Sequence, residues 1–274
     1  MKKIFMFSVF FFLAAWVLST TSALATSYYL YHSYGGTYHD AEKSPSIPDD
    51  DSKMCWAASA ANILAWTGWG YPSGESFHNE DDIFKYFQDH WTNVGGNPYF
   101  GLDWWFDGVN DSQGVAGWSQ VDDEGGGFWT DKYFSNYYLS SNSVSEAMNN
   151  IALLTVNGYG TSLGVINGNT GHAITAWGFD YDYNDATDTL SYDGIWVTDS
   201  DDNMDVTDPA NSLVYYDVFY YQGAWFLENF YGTDSWYISE VHGLAQMPVP
   251  VPPAVWLLGS GLIGLVGLRK RRTA

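Results

Sequence analysis

The chain has one cysteine in 274 residues, and it has no arginine before Arg269. A single thiol cannot close an intrachain disulfide, so Cys55 is either a free thiol or is joined between chains. Positive charge is as scarce. Six of the ten Lys and Arg (Lys2, Lys3, Arg269, Lys270, Arg271, Arg272) lie at the two ends, which carry no acid. The central region therefore sets 32 acidic residues against four lysines, near −28. Such a surface repels a phosphate backbone, which argues against nucleic acid as a partner. Charged residues are only 15% and aromatics reach 19%, which excludes a disordered chain. The length suits one domain of about 200 residues with a sizeable core.

Both ends read as addresses. Residues 1–25, "MKKIFMFSVFFFLAAWVLSTTSALA", join a basic start, an apolar run and the small-x-small close Ala23-Leu24-Ala25. That is the pattern of a secretory signal cut after Ala25, so the mature protein is expected outside the cytoplasm. Residues 248–274 begin with a proline-rich turn, continue as a mainly apolar stretch of fifteen residues from Ala254 to Leu268, and end in the basic cluster Arg269–Arg272. The stretch is short for a relaxed spanning helix of roughly 20 residues, and its basic end would stay cytoplasmic.

The surroundings of Cys55 point away from a simple packing role. "CWAASAANILAW" is apolar or small on every face and reads as a buried helix. Asp49, Asp50, Asp51 and Ser52 before it are capping residue types. Cys55 then falls in the first helical turn, where free backbone N–H groups favour a thiolate. Lys43 and Lys53 bring two of the central region's four lysines to the same place. The plainer reading is an inert cysteine acting as a small hydrophobe.

A thiolate nucleophile needs a base. Among His32, His39, His78, His90, His172 and His242, His172 stands apart, because "GHAITAWGFDYD" continues from it as an apolar strand. His242, before the tail, is an outside candidate. After a turn at "DYNDATD", "LSYDGIWVTDSDDN" returns and ends in Asp199 and Asp201. Two antiparallel strands would set an acid beside the imidazole, as Cys-His-Asp chemistry requires.

The order of a helix-borne cysteine, a Gly-His-Ala-Ile strand and a strand ending in an acid resembles the papain-like cysteine peptidases. "CWAASAANILAW", "IFKYFQDH", "GTSLGVINGNTGHAITAWGFDYD" and "GIWVTDSDDN" are similar to blocks of the streptococcal immunoglobulin-degrading endopeptidases, the IdeS/Mac family, in order over about residues 50 to 205. The resemblance implies an α+β papain-like fold, with a helical part carrying the nucleophile against an antiparallel sheet. It makes Cys55 the nucleophile, His172 the base, Asp199 the orienter of His172 and Asp201 the second site aspartate. It also implies an oxyanion lysine upstream of the cysteine, for which Lys43 is chosen and Lys53 is the alternative. Protein or peptide is the implied substrate and no cofactor or metal is expected.

The departures are informative. Cys-Trp-Ala-Ala replaces the family's Cys-Gly-Ala-Ala, so the Trp56 indole is expected to flank the nucleophile and narrow the cleft. Loops that recognise immunoglobulin are not identifiable, and the peptidase chemistry is carried over without that substrate. The tail "VPVPPAVWLLGSGLIGLVGLRKRRTA" resembles a PEP-CTERM sorting signal of Gram-negative bacteria. An exosortase-type enzyme would then remove it and leave the protein at the surface or in the extracellular matrix. A retained membrane anchor is the alternative.

Other patterns have bland readings. "DSDDN" offers Asp199, Asp201 and Asn203, but an EF-hand needs Gly and Glu where the chain has Met204 and Ala210. "GLDWWFDG" and "YYDVFYYQGAWF" could line a sugar surface and are expected in core and strand pairs. Ser143 and Glu146 have capping-box spacing. The expected organisation is a signal at 1–25, one domain at 26–247 and a tail at 248–274. Two alternatives stay open beside the endopeptidase: an amidase or transglutaminase-like acyl transferase on the same triad, and a non-catalytic matrix adhesin.

Overall fold

The computed structural model describes residues 26–30, 38–44, 51–108, 125–185, 187–202 and 213–248. The expected signal and the tail after Pro248 lie outside the described residues, as does His32. Among the described residues no helix is long and apolar enough to cross a membrane.

The chain starts with β1 (Thr26–Tyr29), then runs through three helices, α1 (Cys55–Thr67), α2 (Glu80–His90) and α3 (Pro98–Asp107). A short strand β2 (Tyr138–Ser141) leads to α4 (Ala147–Val156). The rest is β-structure: β3 (Tyr159–Asn167), β4 (Thr170–Asn184), β5 (Thr189–Thr198), β6 (Val214–Tyr221), β7 (Ala224–Leu227) and β8 (Trp236–Ala245). The fold is α+β. The strands run β1-β4-β3-β8-β7-β6-β5, and a further β4–β5 pairing closes six of them into a barrel-like antiparallel sheet. β2 adds to the edge of β8.

Each half has its own core. In the helical half Trp56, Trp69, Phe87, Trp91, Trp104 and Trp105 are buried together. "GLDWWFDG" is thus core, as its apolar content predicts. In the sheet half Leu163, Val165, Ile195, Val197 and Ile238 pack with Met148 and Ile151 of α4. In α2, Asn79 caps the helix by accepting from the Asp82 N–H, and Ile83, Phe84 and Phe87 form its buried side.

The helix α1 joins the halves, and a buried polar seam fixes how it sits on the sheet. Ser59 Oγ donates to Ser162 Oγ at 2.6 Å and lies 3.0 Å from Thr175 Oγ1. Asn62 Nδ2 donates to Thr175 Oγ1 at 3.1 Å. These bonds have direction where apolar contact has none, so they set the register of α1 against β3 and β4.

Two capping expectations fail. Met54 is the N-cap position of α1, with no side-chain cap. The turn closes by Met54 N–H to Asp51 O at 2.8 Å, and the buried Asp51 carboxylate instead accepts from Ser44 N–H at 2.7 Å and Gln88 Nε2 at 3.0 Å. Ser143 and Glu146 form no capping box either. A 3-10 turn over Val144–Glu146 intervenes, Ser143 Oγ meets Ser145 Oγ at 3.3 Å, and Glu146 accepts from Asn149 Nδ2 at 2.6 Å.

Candidate active site

Cys55 opens α1 and His172 is the third residue of β4. The expected hairpin forms, since β4 and β5 pair antiparallel with Thr175 opposite Thr198. Asp199, the next residue, therefore emerges beside the start of β4. His172 Nε2 donates to Asp199 Oδ1 at 2.6 Å, with both side chains buried. His172 hydrogen-bonds Cys55 as well, and the Ala173 backbone N–H also donates to the thiol. With Nε2 occupied by Asp199, Nδ1 is the ring nitrogen left for the sulfur.

The electrostatics favour an ion pair. Burial pushes the Cys55 thiol up, but the His172 hydrogen bond and charge, the charge of Lys43 and the Ala173 N–H together hold it below its ordinary value. Burial disfavours a charged His172, yet its hydrogen bonds to Asp199 and Cys55 prevail and raise it to about 10. The N-cap residue Met54 offers no side-chain acceptor, and the positive end of the α1 dipole lies beside the thiolate.

Lys43 and Asp201 also come to the site. Lys43 is buried, its Nζ 2.7 Å from Asp201 Oδ1 and donating to Ser52 O at 3.1 Å. Asp201 Oδ2 is 3.8 Å from His172 Nδ1, and the Asp201 N–H donates to Asp199 Oδ1 at 3.1 Å. Lys53 is exposed at the cleft rim, and its backbone N–H donates to Asn93 Oδ1. The lysine whose charge reaches Cys55 is thus Lys43.

Lys43 is placed by a network along residues 38–44. His39 Nδ1 and the Asp40 N–H share the Glu80 carboxylate at 2.7 and 3.3 Å. The Ala41 N–H donates to Asn62 Oδ1 at 2.7 Å, and the Lys43 N–H donates to Ser200 O at 3.0 Å. Burial, then the charges of Glu42 and Asp202, push the Asp40 carboxyl up to about 9.

Cys55 and His172 face a cleft of about 780 Å³. Gly95, Gly96, Asn97 and Phe100 line its helical side; Val165, Trp236 and Glu240 line its sheet side. Trp56 does not narrow it. The indole is fully buried in the helical core, edge-on to Trp91 at 5.0 Å, and its Nε1 donates to Val94 O at 2.9 Å. It thereby anchors the chain that leads into Gly95 and Gly96. Successive helical residues point about 100° apart, so the neighbour of a cleft-facing residue turns away.

Tyr231 is a site residue that the sequence did not disclose. It lies between β7 and β8 with φ of +48°, and its hydroxyl donates to Asp199 Oδ2 at 3.0 Å. Its ring meets His172 edge-on at 5.7 Å. Burial and the Asp199 charge raise the phenol well above its ordinary value, so it stays a donor. The other histidines have separate partners. His242 is held by Tyr138 Oη at 2.5 Å and Glu240 at 3.1 Å, His78 meets Asp82 at 3.0 Å, and His90 Nδ1 faces Tyr86 O at 2.8 Å.

Donor atoms of His172, Asp199 and Asp201 lie within 4.8 Å of one another, close enough for a metal ion. Lys43 Nζ beside Asp201 already supplies the positive charge there and would repel a cation. No protein-family model and no curated protein matches the chain.

Proposed function

We propose that the protein is an exported cysteine endopeptidase of papain-like type, acting through Cys55, His172 and Asp199. One observation carries the reading: three residues distant in sequence come together, Cys55 at a helix start and His172 on a strand facing one cleft and acting on each other electrostatically, with Asp199 2.6 Å behind His172. In this reading the Cys55 thiolate attacks the peptide carbonyl carbon, and the carbonyl oxygen takes up negative charge. The Cys55 backbone N–H at the helix start and Lys43 Nζ stabilise that oxygen. His172 gives its proton to the leaving amine, then takes one from the water that hydrolyses the thioester. Asp199, held by the Tyr231 hydroxyl and the Asp201 N–H, keeps His172 oriented through both steps.

The substrate is protein or peptide of unspecified sequence, and the expected sorting tail would place the enzyme at the cell surface. A peptide-library digest by the wild type and by Cys55→Ala tests the reading. Cleavage by the wild type alone supports it. Incorporation of an added amine instead of hydrolysis would make the enzyme an acyl transferase, and no turnover from an alkylatable Cys55 would count against catalysis on peptides.

A further inference from the structure

We propose that Asp40, Glu42 and Asp202 form a binding site for one calcium ion, beside the triad but separate from it. Carboxylate oxygens of the three residues lie within 4.8 Å of one another. Asp40 is fully buried, and neither of its carboxylate oxygens has a hydrogen-bond partner. A buried ionised carboxylate with no donor is among the costliest arrangements a fold can hold, so Asp40 either keeps its proton or gives it up to a cation that binds there. The described neighbours do not supply one. Glu80 beside Asp40 is another acid, and it is taken by His39 Nδ1 and the Asp40 N–H. Lys43 is turned to Asp201 and Ser52 O.

The donor set specifies the metal. Oxygen donors without cysteine or histidine suit a hard cation, and three carboxylates outweigh a double charge. Calcium takes 6–8 oxygens in flexible geometry, roughly 2.3–2.6 Å away, whereas magnesium demands a near-ideal octahedron at about 2.0–2.1 Å. Glu42 and Asp202 are half-buried as residues, and both Glu42 carboxylate oxygens and Asp202 Oδ2 are shielded from solvent, as ligands turned towards an enclosed ion would be. The ligands come from two segments, not from one EF-hand-like loop, which is why the local sequence pattern fails. One segment is the 38–44 stretch and the other is the turn after β5. These two are otherwise joined by Lys43 N–H to Ser200 O and by Thr198 Oγ1 to His39 O, both at 3.0 Å. An ion between them would hold Lys43 and Asp199 at a fixed spacing.

The test uses the full chain in a Cys55→Ser background, so that its readout does not depend on peptide hydrolysis. The protein is stripped with chelator and titrated with calcium chloride by calorimetry and thermal unfolding. The expected result is one saturable site and a melting temperature that rises with calcium. Asp40→Asn should abolish the rise. Glu42→Gln, which keeps the side chain's size and shape and so disturbs folding little, should weaken calcium binding by roughly tenfold or more. No calcium-dependent rise in the stripped parent overturns the proposal. So does an unchanged calcium midpoint in Glu42→Gln, or magnesium giving the same rise at the same concentration.

Discussion

A thiol that shares a proton with a buried imidazole ionises at a pH where an isolated thiol does not, and this makes Cys55 the most informative residue to probe. Its pKa is lowered while that of His172 is raised to about 10, so the thiolate–imidazolium pair occupies the interval between them. Alkylation by iodoacetamide should therefore stay fast at pH 6 and fall only as pH drops through the lowered Cys55 value. In His172→Ala the profile should move up towards the ordinary thiol range, near about 8.5. A wild-type profile already centred there would mean that no pair exists. Lys43 acts on the same thiol from inside the site. Lys43→Ala should raise the alkylation midpoint and, on the proposed mechanism, lower turnover by roughly 10²–10³ through loss of an oxyanion donor. Lys53→Ala should leave the alkylation midpoint in place, because that side chain is exposed at the rim. Measuring both profiles on one day, against one buffer series, separates the two lysines; a shift in the Lys53 variant alone would exchange their roles.

The elements that carry these residues differ in how far the sequence disclosed them. The hairpin of β4 and β5 was legible, because two β-rich runs flank the polar turn "DYNDATD" and the acids follow directly after the second run. The helix α1 was legible as buried, yet its apolar character on every face removed the phase information, so the direction of Trp56 could not be read. Tyr231 was not legible at all. It reaches Asp199 because the chain between β7 and β8 turns through left-handed positions at Asn229 and Tyr231; asparagine favours such a bend, but nothing in the type of Tyr231 points its hydroxyl at Asp199. Asp51 was misread as a cap because its partners, Ser44 N–H and Gln88, lie in other segments. The polar seam is likewise a tertiary feature, and it gives a test at this scale. Asn62 bonds both the Ala41 N–H, next to the lysine-bearing segment, and Thr175 on β4. Asn62→Ala leaves the buried Ala41 N–H without its acceptor, at a cost of about 1–3 kcal/mol, and leaves the Thr175 hydroxyl to Ser59 alone. The expected outcome is a lower denaturant midpoint together with an altered alkylation rate, since the same side chain helps seat α1 against the strand that holds His172. Loss of stability with an unchanged rate at Cys55 would show that the seam does not position the site.

For the whole molecule, the functional reading requires that helices and sheet assemble the cleft without the C-terminal tail, and the contacts near residue 248 say where a boundary can fall. β8 ends at Ala245, but the chain is not yet finished with the fold there. Ala245 N–H donates to Tyr137 O at 2.8 Å, and its carbonyl accepts from Trp69 Nε1 at 2.8 Å. Two residues later the Met247 N–H donates to Thr67 O at 2.9 Å, the last residue of α1, and Met247 packs on the helical core. These bonds tie the end of β8 to the far end of the helix that starts with Cys55. A chain ending at Pro248 should therefore keep its melting temperature and the acid-shifted alkylation of Cys55. A chain ending at Gly243 should lose both, because Trp69, the Tyr137 carbonyl and the end of α1 would all be left without partners inside the helical core. Thermal unfolding of the two truncations beside the full chain decides the matter. A Pro248 truncation that folds but no longer alkylates at pH 6 would mean that the tail takes part in the site, and the boundary proposed from the sequence would have to move.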